Sequence, residues 1–435
     1  MNIFTTIKAY SKLKKNLSYN TPVLQPHILK NIVKKYFDYK EKYLNILEDT
    51  QAPLYILETS VLTKQADTFR NAFNAYLQET EYYYAVKSNN HPAVSRTMLN
   101  SGYGLEVSSG KELEQAIELG AKKIIFNGPG KTDEELTLAI LNSEKVIVLM
   151  DSIGEFVRLE GIAQKYNKKI RTGIRVITTS KGLWQKFGIS PEQLTDLWDK
   201  IQKSKTVVLQ GLQFHSSWNL TPTKQVNMIN RISEIIKDRP TSFINALKFI
   251  DIGGGYWPNH GEWIHYSTTP VGTLRKALGF NNPNYLKHYT NYADNIKYFA
   301  EEISKAIIEK IYPVCKCKVF FEPGRWICND SMHLILSVVD KKNSNTIVTD
   351  AGTNAIGWER FETDYFPVLN LSRPSLKEQS CNIYGSLCTP HDIWGFSYWG
   401  SDINVGDILM IPMQGAYTYS LRQNFIKPLP KVVVL

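Results

Sequence analysis

The chain has 435 residues, 43% of them hydrophobic and 21% charged, a length and balance suited to a two-domain globular protein or one large barrel with an appendage. No apolar run approaches the roughly 18 residues a spanning helix needs, and the lysine-rich start lacks the apolar centre of a secretory leader, so the expectation is a cytoplasmic protein without a membrane partner. The net charge of +10 does not by itself announce a nucleic-acid partner: residues 1–50 hold nine Lys against four Asp and Glu, about half the excess, and no zinc-finger or RNA-binding signature follows.

Residues 1–50 read as a basic helical extension. In "ILKNIVKKYFDYKEKYLNIL", Ile28, Ile32, Val33, Tyr36 and Phe37 recur as one amphipathic stripe, which favours a solvated lysine face over a lipid or nucleic-acid surface. Residues 51–80 follow, where "APLYILETSVL" (52–62) is strand-like and is expected to join a C-terminal sheet. Eight β units then alternate with helical patterns: 82–88, 103–109, 122–128, 145–151, 170–177, 209–216, 247–255 and 318–324. That count over about 240 residues predicts an α/β architecture, a (β/α)8 TIM-type barrel over 81–325. A doubly wound open sheet is the rival, but no glycine-rich dinucleotide fingerprint follows the first strand. Residues 326–435 change to short strand-like runs and predict a second, all-β domain, sandwich or barrel. The five cysteines (315, 317, 328, 381, 388) form no CxxC pair, arguing against a disulfide framework and against a structural metal.

The polar residues of the barrel fall at its strand ends, where such barrels keep their chemistry. In "EYYYAVKSNN" a two-residue period puts Tyr83, Ala85 and Lys87 on one face, and a lysine at the end of an apolar strand is costly unless used. Glu106 ends the second strand, Arg175 the fifth and His215 the sixth. Gly253, Gly254 and Gly255 follow the seventh, and "EPGR" places Glu322, Gly324 and Arg325 after the eighth. A satisfied histidine or a glycine turn explains any one of these alone. Together they match one cofactor. Three glycines let backbone N–H groups approach a phosphate, a lysine amine condenses with an aldehyde, a carboxylate pairs with a pyridine nitrogen, and an imidazole stacks on the ring. Lys87 is therefore expected to carry pyridoxal 5′-phosphate (PLP).

With "YAVKSN", "YGLEVSSGKEL", "KFGI", "LQFHSS", "IDIGGGY", "FEPGRW", "VTDAGTN", "GSLCTPHD" and "QGAYTYS" in this order, the chain from about residue 52 onward resembles the fold-type III PLP-dependent decarboxylases, the group of diaminopimelate, ornithine and arginine decarboxylases, nearest the diaminopimelate branch. The resemblance implies decarboxylation of an amino acid to an amine and CO2. By position it makes Lys87 the Schiff-base lysine and His215 the residue on the ring. Gly253–Gly255 with Arg325 would bind the phosphate, Glu322 the ring nitrogen. Glu106 and Arg175 would support them, and Tyr417 would contact phosphate or substrate. It further implies that the Cys388 thiol protonates the α-carbon, and that Cys388 and Asp392 reach the site of a neighbouring subunit in a homodimer with shared sites.

Two departures bear on the substrate. Relatives that take a distal ammonium usually carry Asp or Glu after the cysteine, where this chain has Thr389, a poor counter-ion for a buried ammonium. The expected substrate therefore lacks a free lysine-, ornithine- or diaminopimelate-like end and is an acidic, conjugated or carrier-attached amino acid. Trp218, in "HSSWN", stands where many relatives have the Ser of His-Val-Gly-Ser, and a bulky indole there narrows the site or pushes it outward. Arg360, in "GWERFETDYF", is a candidate for a substrate carboxylate. The alternatives are diaminopimelate decarboxylase proper, an amino-acid racemase (disfavoured by Glu322, where such relatives place Arg), a non-catalytic homologue that binds a partner enzyme, and a phosphosugar barrel without PLP.

Overall fold

The computed structural model describes residues 7–8, 11–15, 20–179, 182–280, 286–357 and 364–435. The chain divides into two compact units. One comprises Thr59–Asn259 with Asp294–Asn329, the other Met1–Glu58, His260–Ala293 and Asp330–Leu435.

The first unit is a closed barrel of eight parallel strands in chain order: Thr80–Ala85, Gly104–Val107, Ile124–Phe126, Val146–Met150, Ile170–Arg175, Val207–Gln213, Phe249–Asp251 and Lys318–Phe321. The last strand pairs with both the first (Val319 opposite Thr80) and the seventh (Val319 opposite Ile250), which closes the ring. This is the expected (β/α)8 architecture. Strands such as "VIVLM" are buried along their whole length, as parallel strands covered by helices must be. The interior is filled by Tyr83, Ile125, Ile147, Leu149, Phe249 and Phe320, with the Phe249 and Phe320 rings stacked at 4.3 Å. Gly211 makes room for this pair, since a Cβ there would collide with the Phe249 ring. Helix starts are fixed by side chains: Ser109 and Ser152 accept backbone N–H groups, and Thr132 with Glu135 forms a capping box.

The second unit holds a sheet of eight strands in the order Thr346–Thr349, Glu378–Tyr384, Ile393–Trp399, Leu369–Asn370, Ile408–Ile411, Met332–Asn343, Leu54–Leu57 and Lys431–Val434. Because Met332–Asn343 also pairs with Thr346–Thr349, six of these strands close on themselves. The helix Pro26–Asp38 packs its buried Leu29, Val33 and Tyr36 in one cluster with Leu54, Ile56, Ile335, Leu369 and Met410. Its polar face is solvated, with Lys34 paired to Asp38 at 2.7 Å. The apolar stripe read in the sequence is thus consumed inside the unit. Beneath it Glu58 accepts from Tyr43 Oη at 3.0 Å and pairs with Lys42 at 2.8 Å. Burial holds the adjacent His333 neutral, its pKa pushed down to about 4, with Nδ1 accepting the Met413 N–H at 3.2 Å.

Three sequence expectations need correction. The strand read over 52–62 is only Leu54–Leu57; from Thr59 the chain is helical to Asn74, because Leu62, Ala66, Phe69 and Phe73 recur at helical spacing and bury one face. Residues 260–293, read as part of the barrel, belong to the second unit and carry the hairpin Glu262–Ile264 with Tyr289–Asn291. Lys87 is not on the strand. The first strand stops at Ala85 and Val86–Ser88 forms a single tight turn, drawn in by Ser88 Oγ donating to Ala85 O at 2.7 Å.

Candidate functional site

The C-terminal rim of the barrel gathers Lys87, Glu106, Arg175, His215, Gly253–Gly255, Glu322, Gly324 and Arg325. The Lys87 ammonium is paired with the fully buried carboxylate of Glu106, whose other oxygen accepts from Ser108 Oγ at 3.2 Å. About a third of the Lys87 side chain remains exposed, so the amine sits at a buried counter-ion yet is reachable. Gly324 serves that turn: a Cβ there would press on Ser88 Oγ and the Ala85 Cβ, so its missing side chain admits the Lys87 segment. The sequence also makes Gly324 a cofactor-binding candidate.

The glycine triplet is a true cradle. Gly253 and Gly255 have φ of 66° and 84°, the left-handed region where Cβ atoms are strained, and a Cβ on Gly254 would overlap the Glu322 carbonyl oxygen. Its shape is held by two polar side chains. Gly253 N–H donates to Asp251 Oδ1 at 2.8 Å, and Gly254 N–H donates to His215 Nδ1 at 3.2 Å. An accepting Nδ1 means a neutral imidazole, in keeping with a His215 pKa pushed well below 6.5 by burial and by the Lys87 and Arg175 charges. The 3.9 Å approach of His215 Nδ1 to Glu322 is therefore no ion pair.

Glu322 is the least satisfied group on the rim. It is buried, and among the described residues its carboxyl oxygens meet no donor except the neighbouring carboxyl of Asp251, which can share a proton with it. Burial first, then the Asp251 and Glu106 carboxylates, hold its pKa well above the ordinary value. A buried carboxyl whose one polar neighbour is another carboxyl fits a cationic donor such as a protonated ring nitrogen. The amine, the cradle and this carboxyl together suit an aldehyde, a phosphate and a pyridine ring.

Arg175 lies deeper, 3.3 Å from Asn127 Oδ1 and 4.0 Å from Asp151 Oδ1, with its guanidinium 4.5 Å from the Phe187 ring. Sequence reading passed over Asn127, Asp151 and Asp251, although Asp251 ends a barrel strand as Arg175 does and the other two each follow one directly. It also passed over Trp184, whose ring centroid is 6.4 Å from that of His215, and Trp257, over which Arg325 lies at 4.3 Å.

The remaining candidates belong to the other unit. Cys388 is exposed and Thr389 half-buried. Asp392, expected to face substrate, is instead turned into its own loop. Oδ1 accepts from Thr353 N (2.7 Å) and Oγ1 (3.0 Å), and Oδ2 from Leu387 N (2.6 Å), so both oxygens are committed to shaping the segment that carries Cys388. Gly385 leaves the space this needs. Tyr417 is half-buried with a left-handed φ of 55°, a strained backbone for a tyrosine. Arg360 lies outside the described residues. No group of three or more His, Cys, Asp or Glu able to hold a metal occurs among the described residues.

Residues 60–329 match the family described as "Pyridoxal-dependent decarboxylase, pyridoxal binding domain". Similar proteins include the diaminopimelate decarboxylase of Campylobacter jejuni, 25% identical over 403 residues that cover 88% of this chain and 90% of the relative. Another is the 2-[(L-alanin-3-ylcarbamoyl)methyl]-2-hydroxybutanedioate decarboxylase of Staphylococcus aureus, 24% identical over 383 residues (82% and 88%). In fold the chain is similar to the Helicobacter pylori diaminopimelate decarboxylase complexed with L-lysine, with TM-score 0.71 and 22% identity over 90% of this chain and 94% of that one. The Vibrio vulnificus lysine/ornithine decarboxylase complexed with putrescine gives TM-score 0.71 and 22% identity, covering 92% and 98%. The rim chemistry and these matches lead to one conclusion: the chain belongs to the pyridoxal-dependent decarboxylases of fold type III, carboxy-lyases that use pyridoxal phosphate.

Proposed function

We propose that this protein removes the α-carboxylate of an amino acid whose far end is not a free ammonium, with Lys87, Cys388 and His215 as its catalytic residues. When bound, PLP supplies the electron sink that accepts the pair left by the departing CO2. The residues of the chain do the rest. Lys87 is the amine that carries the cofactor and yields it to the substrate amine, with Glu106 fixing its position. Gly253–Gly255 and Arg325 hold the phosphate, and Tyr417 contacts phosphate or substrate. Neutral His215, anchored by Gly254 N–H, lies against the ring face, while Arg175 supports the rim from below. The Glu322 carboxylate would accept from the protonated ring nitrogen, and its burial with no donor beyond the Asp251 carboxyl is the observation that carries the decarboxylase reading over a racemase. Cys388 delivers the proton to the α-carbon. Its exposure in the single chain supports a role at the site of a second copy, hence a homodimer. Asp392 acts indirectly, by shaping the Cys388 loop.

The substrate class rests on Thr389. A hydroxyl beside the reactive thiol offers no countercharge to a distal ammonium. The S. aureus relative acts, by its name, on an amino acid conjugated to a carboxylate-rich group, the kind of substrate that needs none. Arg360 is the proposed partner for a substrate carboxylate. The diaminopimelate relatives keep free diaminopimelate as the second reading. A panel assay of CO2 release decides between them. Turnover of acidic or amide-conjugated amino acids, with lysine, ornithine and diaminopimelate poor, is the expected result. Efficient use of any of those three overturns the substrate assignment.

A further inference from the structure

Trp218 occupies a position that is costly twice over. Its backbone is left-handed at φ 54°, where a glycine rests without strain and a tryptophan does not, and its side chain is 55% exposed, so burial compensates little. Nevertheless its conformation is held from several directions. Lys224 Nζ lies 3.3 Å from Ser217 O and 3.5 Å from Trp218 O. Asn219 donates its backbone N–H to Gly255 O at 3.0 Å, and its side-chain amide to Ser216 O at 3.0 Å and Gly254 O at 3.3 Å. Trp257 N–H returns to Asn219 O at 3.3 Å. The loop after the sixth strand is thus laced to the glycine cradle after the seventh, and the lacing brings the Trp218 and Trp257 rings to 5.7 Å.

What the two indoles share is Arg325. Its guanidinium lies 4.3 Å from the Trp257 ring and 5.8 Å from the Trp218 ring. The strand that leads to Arg325 is itself tied to the cradle, Glu322 N–H donating to Gly253 O at 3.0 Å. A guanidinium held against two indole rings keeps its donors in one plane and loses little freedom when an anion arrives.

We propose that Trp257 and Trp218 are positioning residues, a guanidinium clip that holds Arg325 in place for the cofactor phosphate at the Gly253–Gly255 cradle. This rests on the PLP-site reading given above. The indole at 218, which looked in the sequence like an obstruction of the pocket, then contributes to anion binding through the arginine it helps hold.

The experiment compares equilibrium binding of PLP with that of pyridoxal, which lacks only the phosphate, to the purified full-length protein. Trp218→Gly is the informative variant, because it relieves the φ strain and is expected to leave the melting temperature unchanged or raised. PLP affinity falls roughly 2- to 30-fold, the range of one cation–π contact, while pyridoxal affinity stays the same. Trp257→Leu behaves alike and Trp257→Phe recovers most of the loss. In an Arg325→Met background neither tryptophan change has a further effect. PLP affinity at the wild-type level in both tryptophan variants, equal losses for PLP and pyridoxal, or additive losses with Arg325→Met would each overturn the clip while leaving the PLP site standing. A wild-type protein that does not hold PLP on Lys87 would overturn the site reading and the clip with it.

Discussion

Asp251 Oδ1 accepts the Gly253 N–H at 2.8 Å, so one of the two carboxylates that crowd Glu322 is also the clasp of the glycine cradle. Burial pushes the Asp251 pKa up to about 7, the Gly253 N–H opposing it only in part. A carboxyl pKa raised in the folded chain means the native state binds the proton more tightly than the unfolded one. Its stabilising contribution is complete below the ordinary value of 3.8 and is lost as pH rises toward about 7. The PLP-free protein should therefore melt at progressively lower temperature across that window. Asp251→Asn should flatten the slope, and added PLP should flatten it as well by giving Glu322 a cationic partner. Melting curves against pH, with and without PLP, measure all three.

Lys87→Ala removes the amine expected to hold the cofactor. Decarboxylation should fall by more than about 10³-fold, the scale set by residues of a covalent mechanism. Borohydride reduction followed by peptide mapping should place the pyridoxyl group on Lys87 in the wild type and nowhere in the variant. A tag on another lysine would remove the mechanism's starting point.

The proposed homodimer, in which Cys388 serves the site of the other chain, predicts complementation. Lys87→Ala and Cys388→Ala homodimers, each nearly inactive, should regain roughly a quarter of wild-type activity after mixing and subunit exchange. Half the dimers are then mixed, and each of those rebuilds one of its two sites. Continued inactivity in verified mixed dimers would place Cys388 in the site of its own chain.

Asp392→Ala leaves the Leu387 and Thr353 N–H groups without their acceptor. The expected cost is about 1–3 kcal/mol for each buried donor left unpaired. Denaturant unfolding gives the loss, and faster alkylation of Cys388 should accompany it as the loop loosens. A role in touching substrate predicts something else, a raised KM with unchanged stability and unchanged thiol reactivity.

The barrel was legible because its strands are buried by a rule the sequence obeys: short apolar runs, each closed by a polar or glycine residue, each followed by a helical period. The same punctuation exposed Lys87, Glu106, His215, the glycines and Glu322. Asp251 was hidden by its place inside "FIDIGGG", where it reads as the end of a strand rather than as a ligand of the turn. Trp184 and Trp257 were hidden because an aromatic side chain in a loop carries no sign of what it stacks on. The helix Thr59–Asn74 was mistaken for a strand because its first turn, "TSVLT", is rich in β-branched residues, and only the later Phe69 and Phe73 reveal the period. The hairpin at 262–291 failed for another reason: its three-residue strands pair with each other and dock by the bridge Val23–Tyr289, a contact between segments more than 260 residues apart that no local pattern announces. Asp392 was misread because position in a motif says nothing about which way a carboxylate points.

The helix Pro26–Asp38 has a bearing on how the polypeptide is made. It is translated well before Ile335, Leu369 and Met410, against which its apolar side finally rests. Throughout synthesis that stripe has no permanent berth, and the loop to be closed spans most of the polypeptide. The second unit can therefore complete its core only once the segments beyond residue 330 have been translated, whereas the barrel strands are all made before them, and the nascent helix stays open to chaperone capture in the interval.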